Sequence, residues 1–304
     1  MKQPLVLELK GNSLDDGPGI RSVIFVKGCP LSCVWCHNPE SKNTAMEISF
    51  SRRDCIGCGI CLHTCQHNAL SPDYEHYIDR NRCNLCFECV EACPAKALTR
   101  VGVELSSDEI LDIVLRDKPF FDVSGGGVTL SGGEITMFPE FAGELLRKLK
   151  QHGIHTLIET CGHFQFDVFS QMILPFVDHI YYDIKLFDSQ LHKKYCGLGN
   201  EKILDHFPKL YAMSQDGSFT ILPRIPLIPN ITDTDENLVA IADFLSGLKV
   251  RTVQLLPYNP TWTEKNQKLG MNTPADIEKE QGWQSKEKLL RCEGVFLKRG
   301  IDIT

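Results

Sequence analysis

Three cysteines on one short loop constrain this chain more than any other feature of its sequence. The stretch from Gly28 to Ser41 reads GCPLSCVWCHNPES and places Cys29, Cys33 and Cys36 in a C-x3-C-x2-C run. Three thiolates can hold three irons of a [4Fe-4S] cube and leave the fourth iron without a protein ligand, whereas electron-transfer clusters usually take four cysteines. The pattern therefore predicts a cluster with one open coordination position, where a ligand can bind and react. The alternative is a zinc loop, but zinc sites usually pair two C-x2-C knuckles.

Eight further cysteines follow in two runs of matching spacing. Each run reads C-x2-C-x2-C-x3-C, and the two comprise Cys55, Cys58, Cys61 and Cys65, then Cys83, Cys86, Cys89 and Cys93. This repetition resembles a bacterial two-cluster ferredoxin, in which the last cysteine of each run ligates the other cluster. The resemblance implies one ligand set of Cys55, Cys58, Cys61 and Cys93 and another of Cys83, Cys86, Cys89 and Cys65. We therefore expect a ferredoxin-like insert over 47–100, within a larger domain formed by 1–46 and 101–304.

Charge and cysteine content restrict the partners and the compartment. The net charge of −7 disfavours non-specific attraction to nucleic acid or to an anionic membrane. The first residues lack the apolar segment of a signal peptide, so we expect a cytoplasmic protein. Fourteen cysteines without an export signal favour metal binding over disulfides. We expect an oxygen-sensitive protein that binds neither nucleic acid nor membrane.

Strand and helix patterns alternate along the larger domain. The strand pattern covers 22–27, 128–130, 154–158, 179–182, 219–222 and 252–256, and helical patterns cover 106–116, 139–152, 166–174, 202–213 and 235–245. Such alternation predicts an α/β fold with a parallel sheet. Small or polar residues follow each strand, and in a TIM-like barrel these strand ends meet at one mouth. Six strands are fewer than eight, so we expect a partial, open (β/α)6 barrel.

The flanks of the three-cysteine loop narrow the chemistry. Upstream lies DGPGIR (16–21), the loop closes with WCHNPE (35–40), and SGGGVTLSGGE and YYDIKLFDSQLHKKY follow later. Together these motifs resemble the activating enzymes of glycyl radical enzymes, which belong to the radical S-adenosylmethionine (SAM) superfamily. The resemblance runs from Asp16 to Asn259 and implies the same partial barrel.

The resemblance implies an oxidoreductase that cleaves SAM reductively at the cluster held by Cys29, Cys33 and Cys36. The resulting 5′-deoxyadenosyl radical abstracts a Cα hydrogen from one glycine of a partner glycyl radical enzyme. The implied cofactors are three [4Fe-4S] clusters, SAM and a monovalent cation shared by Glu159 and Asp183. The implied electron donor is a flavodoxin or a ferredoxin.

The resemblance also implies which residues contact SAM. They are Trp35, Cys36, His37, Gly132, Gly133, Glu134, Asp183, Ile184, Lys185 and Asn259. Asn259 stands where smaller members of the family carry His. The glycines could instead form a tight turn, and Asp183 and Lys185 could form an ordinary salt bridge. The remaining cysteines, Cys161, Cys196 and Cys292, are expected to be buried core thiols.

Two other functions remain open on the sequence. The chain could be a radical SAM enzyme acting on a small molecule, or a non-catalytic iron–sulfur electron carrier. The Gly-Gly-Glu and Asp-Ile-Lys motifs disfavour the carrier, which has no use for them. The clusters of the insert could conduct electrons or have a purely structural role. The sequence does not identify which glycyl radical enzyme is the partner.

Overall fold

The computed structural model describes residues 3–272 and 282–304, which form one sheet of nine strands and one of two. The large sheet has the order β11-β10-β9-β8-β7-β6-β2-β1-β5. Its strands are β1 (Leu5–Ser13), β2 (Arg21–Val26), β5 (Val103–Glu104), β6 (Gly127–Gly132), β7 (His155–Thr160), β8 (His179–Asp183), β9 (Thr220–Leu227), β10 (Thr252–Pro257) and β11 (Asp302–Ile303). Six neighbouring strands pair in parallel and follow one another in chain order: β2, β6, β7, β8, β9 and β10. This confirms the parallel α/β sheet.

Helices connect the parallel strands and cover the sheet. They are α3 (Ser107–Val114), α4 (Lys118–Ser124), α5 (Pro139–Gln151), α6 (Phe166–Met172), α7 (Ser189–Cys196), α8 (Glu201–Met213), α9 (Asp235–Gly247), α10 (Trp262–Lys268) and α11 (Lys286–Leu297). Local sequence explains several ends: Ser106 and Glu109 form the expected capping box of α3, and α5 begins at Pro139. None of the helices in the described part of the chain combines the length and the apolar character needed to cross a membrane.

The large sheet differs from the sequence prediction in three additional strands, β1, β5 and β11, and in the extent of β9. β1 was not predicted, although it pairs antiparallel with β2 and buries Leu5 and Val6. The strand pattern predicted β9 over 219–222, yet it continues through Pro223 and Pro226 to Leu227. A proline removes only its own N–H from the ladder, and the Arg224 carbonyl between the two prolines still accepts a bond from Ile184 N at 2.9 Å. Arg224 therefore lies within β9 rather than after it.

Residues 47–101 form a compact unit with a sheet and an apolar core of their own. β3 (Glu47–Phe50) and β4 (Leu98–Val101) pair antiparallel at the two ends of this segment, and α1 (Ile60–Thr64) and α2 (Glu88–Glu91) lie between them. Phe50 stacks on Tyr77 with ring centroids 3.9 Å apart. An ion pair of 2.8 Å between the fully buried Lys27, directly after β2, and Glu47 joins this unit to the main sheet.

Adjacent glycines before β6 offer a matched test of backbone packing. A Cβ on Gly126 would lie 1.8 Å from the Ile20 carbonyl oxygen, whereas a Cβ on Gly125 would meet nothing within 4 Å. We expect Gly126→Ala to destabilise the protein by about 3 kcal/mol or more, because the backbone leading into β2 must move. Gly125→Ala should cost only about 1 kcal/mol, the penalty for its positive φ of 70°. Urea denaturation measures both, and equal losses would contradict this packing.

Candidate functional site

The three-cysteine loop leaves the carboxyl end of β2 and is held in place by backbone hydrogen bonds. Gly28 N donates to Ser41 O at 2.6 Å and closes the loop on itself. Ser32 N donates to Cys196 O at 2.8 Å, and Val34 N donates to Tyr195 O at 3.0 Å. The end of α7 thus fixes the centre of the loop, although nothing local in the sequence of α7 indicates this contact.

The loop cysteines lie in an apolar environment. Cys33 is buried, Cys29 and Cys36 are half-buried, and all three pack with Cys161 and Cys196. Burial raises the pKa of the Cys36 thiol to about 12. A hydrogen bond with Cys196 lowers the pKa of Cys33, which favours the thiolate that binds iron.

Cys161 and Cys196 are core thiols, as the sequence predicted, but they also contact the loop. A hydrogen bond with Cys29, together with burial, raises the pKa of Cys161. Cys196 is fully buried, and its hydrogen bond with Cys33 raises its pKa. Their burial was predictable from residue type, whereas their position beside the loop depends on contacts across more than a hundred residues.

The Gly-Gly-Glu turn joins β6 to the start of the cysteine loop. Gly132 ends β6 with φ of 101°, and a Cβ there would lie 2.5 Å from Val26 N. Gly133 N donates to Val26 O at 2.8 Å, and Glu134 N donates to Gly28 O at 2.7 Å. A Cβ on Gly133 would lie 2.1 Å from that same Gly28 oxygen. Both glycines are therefore required by close backbone packing, and the tight turn considered from the sequence is present.

Glu134 has a different position from the one expected of a SAM contact. Its carboxylate is fully buried and accepts hydrogen bonds from Thr136 Oγ1 at 2.7 Å, Thr160 Oγ1 at 2.9 Å and Cys161 N at 2.7 Å. The side chain thus joins the turn after β6 to the end of β7. Because this carboxylate is fully buried, whereas that of Asp183 is partly exposed, we expect Glu134 to position the site rather than to reach a ligand.

Four charged side chains form a connected network across β7, β8 and β9. Lys185 Nζ lies 2.8 Å from Asp183 Oδ2, Arg224 Nε donates to Asp183 Oδ1 at 3.0 Å, and Arg224 Nη1 donates to Glu159 Oε1 at 2.5 Å. Burial alone would raise the pKa of Asp183, but Lys185 and Arg224 outweigh it and lower that pKa. Two cations and two carboxylates balance in charge, which a buried network requires.

This network changes the expectation of a monovalent cation between Glu159 and Asp183. The Arg224 guanidinium bridges the two carboxylates, and each oxygen it contacts is already neutralised. A second positive charge at the same place would be repelled by the guanidinium. The pair therefore does not fit a monovalent cation, and the sequence did not reveal this because Arg224 was placed beyond the end of its strand.

The other residues expected to contact SAM differ in burial and in their hydrogen-bond partners. Trp35 and Ile184 are buried, and His37 is exposed. Asn259 Oδ1 accepts hydrogen bonds from Thr261 N at 3.0 Å and Thr261 Oγ1 at 2.8 Å, which forms the turn before α10. Its side-chain oxygen thus already has local partners.

The eight cysteines of the 47–101 unit line two separate cavities. One cavity is lined by Cys55, Cys58, Cys61 and Cys93, and the other by Cys65, Cys83, Cys86 and Cys89. This is the same exchange of the last cysteines that the ferredoxin resemblance implies. Mostly apolar residues complete both linings, with His67 and Asn84 as polar members of the second. Over residues 3–272 and 282–304, no three His, Cys, Asp or Glu side chains form a site for a single metal ion.

Comparisons with known proteins agree on one family. The model of the Radical SAM superfamily matches residues 23–245. The isethionate sulfite-lyase activating enzyme of Oleidesulfovibrio alaskensis is 38% identical over 276 residues, which cover 89% of this chain and 88% of that relative. The trans-4-hydroxy-L-proline dehydratase activating enzyme of Clostridioides difficile is 37% identical over 270 residues, 88% of each protein. A solved radical SAM methyltransferase from Sphaerobacter thermophilus has a TM-score of 0.51 at 14% identity, covering 100% of this chain and 77% of that one, and shows the fold alone.

Removing Arg224 tests the charged network. Arg224→Met leaves Glu159 without its cation in a site where the side chain of Glu159 is only 15% exposed. We expect a loss of about 3–5 kcal/mol in the free energy of unfolding, because breaking a buried ion pair strands the remaining charge. The control is Arg251→Met at an exposed arginine, which should change stability by less than about 0.5 kcal/mol. If urea denaturation gives the two variants the same stability, Arg224 does not hold the network together.

Proposed function

This chain belongs to the radical SAM superfamily and, within it, to the activating enzymes of glycyl radical enzymes, and from that premise we propose that it abstracts a Cα hydrogen from one glycine of a partner enzyme. The family membership rests on the matched superfamily model and on relatives that are 37–38% identical to this chain over 88–89% of its length. The hydrogen abstraction and the cluster inventory are our proposal. The chain is in either case an enzyme of the oxidoreductase type.

One observation carries the proposal: the three-cysteine loop, the Gly-Gly-Glu turn and the Asp183–Lys185 pair meet at one place. Glu134 N bonds to Gly28 O at the start of the loop. Leu186, directly after Lys185, packs in the same apolar cluster as Cys33 and Trp35. Parallel strands converge at their carboxyl ends, so three motifs far apart in sequence form one site. An electron carrier would gain nothing from this convergence.

The donor chemistry of the site fits a [4Fe-4S] cluster and SAM. Cys29, Cys33 and Cys36 would hold three irons of the cluster, which leaves one iron for the amino and carboxylate groups of SAM. With one electron supplied, such a cluster would cleave the SAM sulfonium to methionine and a 5′-deoxyadenosyl radical. Among the described residues no donor reaches the Gly133 carbonyl, so this oxygen can accept a bond from the SAM amino group.

The charged network would act on the rest of SAM. Lys185 carries a cation beside the loop and is 11% exposed, so it can attract the methionine carboxylate. Asp183 is held ionised by Lys185 and Arg224, so one of its oxygens can accept from a ribose hydroxyl. Buried Trp35 and Ile184 would exclude water from this place. The monovalent cation is not part of the proposal, because Arg224 already spans the two carboxylates.

We propose that the two cavities of the 47–101 unit hold two further [4Fe-4S] clusters, three in all, within a ferredoxin-like domain inserted in a partial (β/α)6 barrel. The support is the division of eight cysteines into two sets of four. These clusters would pass electrons from a ferredoxin or flavodoxin to the SAM-cleaving cluster. A purely structural role is the alternative, and Cys58→Ser with undiminished donor-driven SAM cleavage would favour it.

A glycyl radical on a partner protein is the test of the proposed reaction. The reconstituted chain, reductant and SAM are mixed anaerobically with isethionate sulfite-lyase, trans-4-hydroxy-L-proline dehydratase and any glycyl radical enzyme encoded beside this chain. We expect the EPR doublet of a glycine Cα radical on one of them, and none when SAM is left out. SAM cleavage without a radical on any of these proteins would contradict the proposal and favour a small-molecule substrate.

Replacing one loop cysteine tests the SAM-cleaving cluster itself. Cys33→Ser should lower the iron content from about twelve to about eight per chain and abolish SAM cleavage, because one cube of four irons loses a ligand. The matched control is Cys292→Ala, at a buried cysteine of α11 outside all three runs. It should keep the full iron content and activity. Iron content that is unchanged in Cys33→Ser would show that the cube is held elsewhere.

A further inference from the structure

The two cysteine runs of the 47–101 unit are an internal repeat whose members share backbone conformation but not surface. Position by position, Gly57 and Gly59 of the first run correspond to Leu85 and Phe87 of the second. All four have positive φ, at 69° and 73° in the first run and at 59° and 63° in the second. The second run therefore shows that side chains are tolerated in this backbone conformation.

The glycines of the first run leave its surface bare. A Cβ on Gly57 or Gly59 would meet nothing within 4 Å, so no packing excludes a side chain there. At the corresponding places of the second run, Phe87 is buried and covered by the Arg100 guanidinium 4.0 Å from its ring. The positive φ favours glycine at both positions, but no neighbouring atom requires it. With no side chain at either position, another molecule can approach this cavity closely.

Exposed apolar side chains flank these glycines. Ile56 is 69% exposed and Ile60 is 44% exposed, and the exposed Cys58 lies between them. The corresponding positions of the second run hold Asn84 and Glu88, both exposed and polar. Large apolar side chains grouped on a surface mark interaction sites. The repeat thus has one polar face and one apolar face.

Basic residues border the apolar face. Arg52 and Arg53 precede Cys55 and are exposed, and Lys96 follows Cys93, which lines the same cavity. The one acidic residue in this stretch, Asp54, is 3.6 Å from Arg53. Glu75 and Glu264 line a neighbouring cavity with Arg52 and Arg53, but the border itself carries three basic residues and one acidic residue on a chain whose net charge is −7. It would attract an acidic partner and orient it toward the apolar centre.

We propose that the face formed by Ile56, Gly57, Gly59 and Ile60 is where a small acidic ferredoxin docks to deliver electrons to this chain. The inference rests on the proposed function, since it requires a cluster in the cavity lined by Cys55, Cys58, Cys61 and Cys93. The bare glycines bring the donor's cluster close to that cavity, and the two isoleucines supply the apolar contact. The covered second run is the less suited entry point.

The test exchanges the apolar residues for those of the second run. The substitutions Ile56→Asn and Ile60→Glu are combined in the full-length, reconstituted protein. They introduce the residue types that the second run has at the corresponding positions, Asn84 and Glu88. The control is Val123→Asn, which removes an apolar side chain that is 91% exposed on α4. SAM cleavage is measured with a reduced, acidic two-cluster ferredoxin and, separately, with dithionite, which needs no docking site.

We expect the double variant to lose about tenfold or more of the rate at limiting ferredoxin, while its dithionite-driven rate and its iron content of about twelve stay unchanged. The Val123→Asn rates should match those of the wild type. An unchanged ferredoxin-driven rate would overturn the docking face while leaving the proposed function intact. Equal losses with both reductants would also overturn it, because the isoleucines would then serve the clusters or the partner enzyme. A wild-type iron content near four would refute the insert clusters themselves.

Discussion

The close backbone contact between the Gly-Gly-Glu turn and the start of the cysteine loop is the constraint on which the site depends. Gly28 O accepts from Glu134 N at 2.7 Å, and no Cβ fits at Gly133 because it would lie 2.1 Å from that oxygen. The carboxylate of Glu134 then reaches the end of β7. One residue thus joins three neighbouring strand ends, and the loop inherits its position from the rigid sheet.

Charge balance is the second requirement. Glu159 and Asp183 lie at the mouth with little solvent, and isolated carboxylates there would be costly. Arg224 and Lys185 neutralise them within the chain, so the site is preorganised without a bound ion. Lys185 also lies close enough to the loop to lower the pKa of Cys33. A positive charge at this place would attract both an anionic cluster and the carboxylate of SAM.

The sequence predicted the elements better than their contacts. Strand and helix periodicity placed the parallel strands, because that signal is local. Spacing alone grouped the loop cysteines, since ligands of one cube on one loop must be close in sequence. Arg224 was misplaced because the predicted strand ended at residue 222, whereas β9 continues past two prolines to Leu227. The roles of Glu134 and Cys196 were missed because both depend on packing across distant segments, for which one sequence carries no signal.

The proposed reaction requires a cluster iron that has no protein ligand and that SAM can therefore bind. The direct measurement is electron–nuclear double resonance on the reduced, SAM-bound protein, with 15N in the SAM amino group and 17O in its carboxylate. The account predicts hyperfine coupling of both nuclei to one cluster, and loss of both couplings in a protein whose loop cysteines are replaced. A fully loaded, reduced protein that binds SAM without either coupling would contradict it.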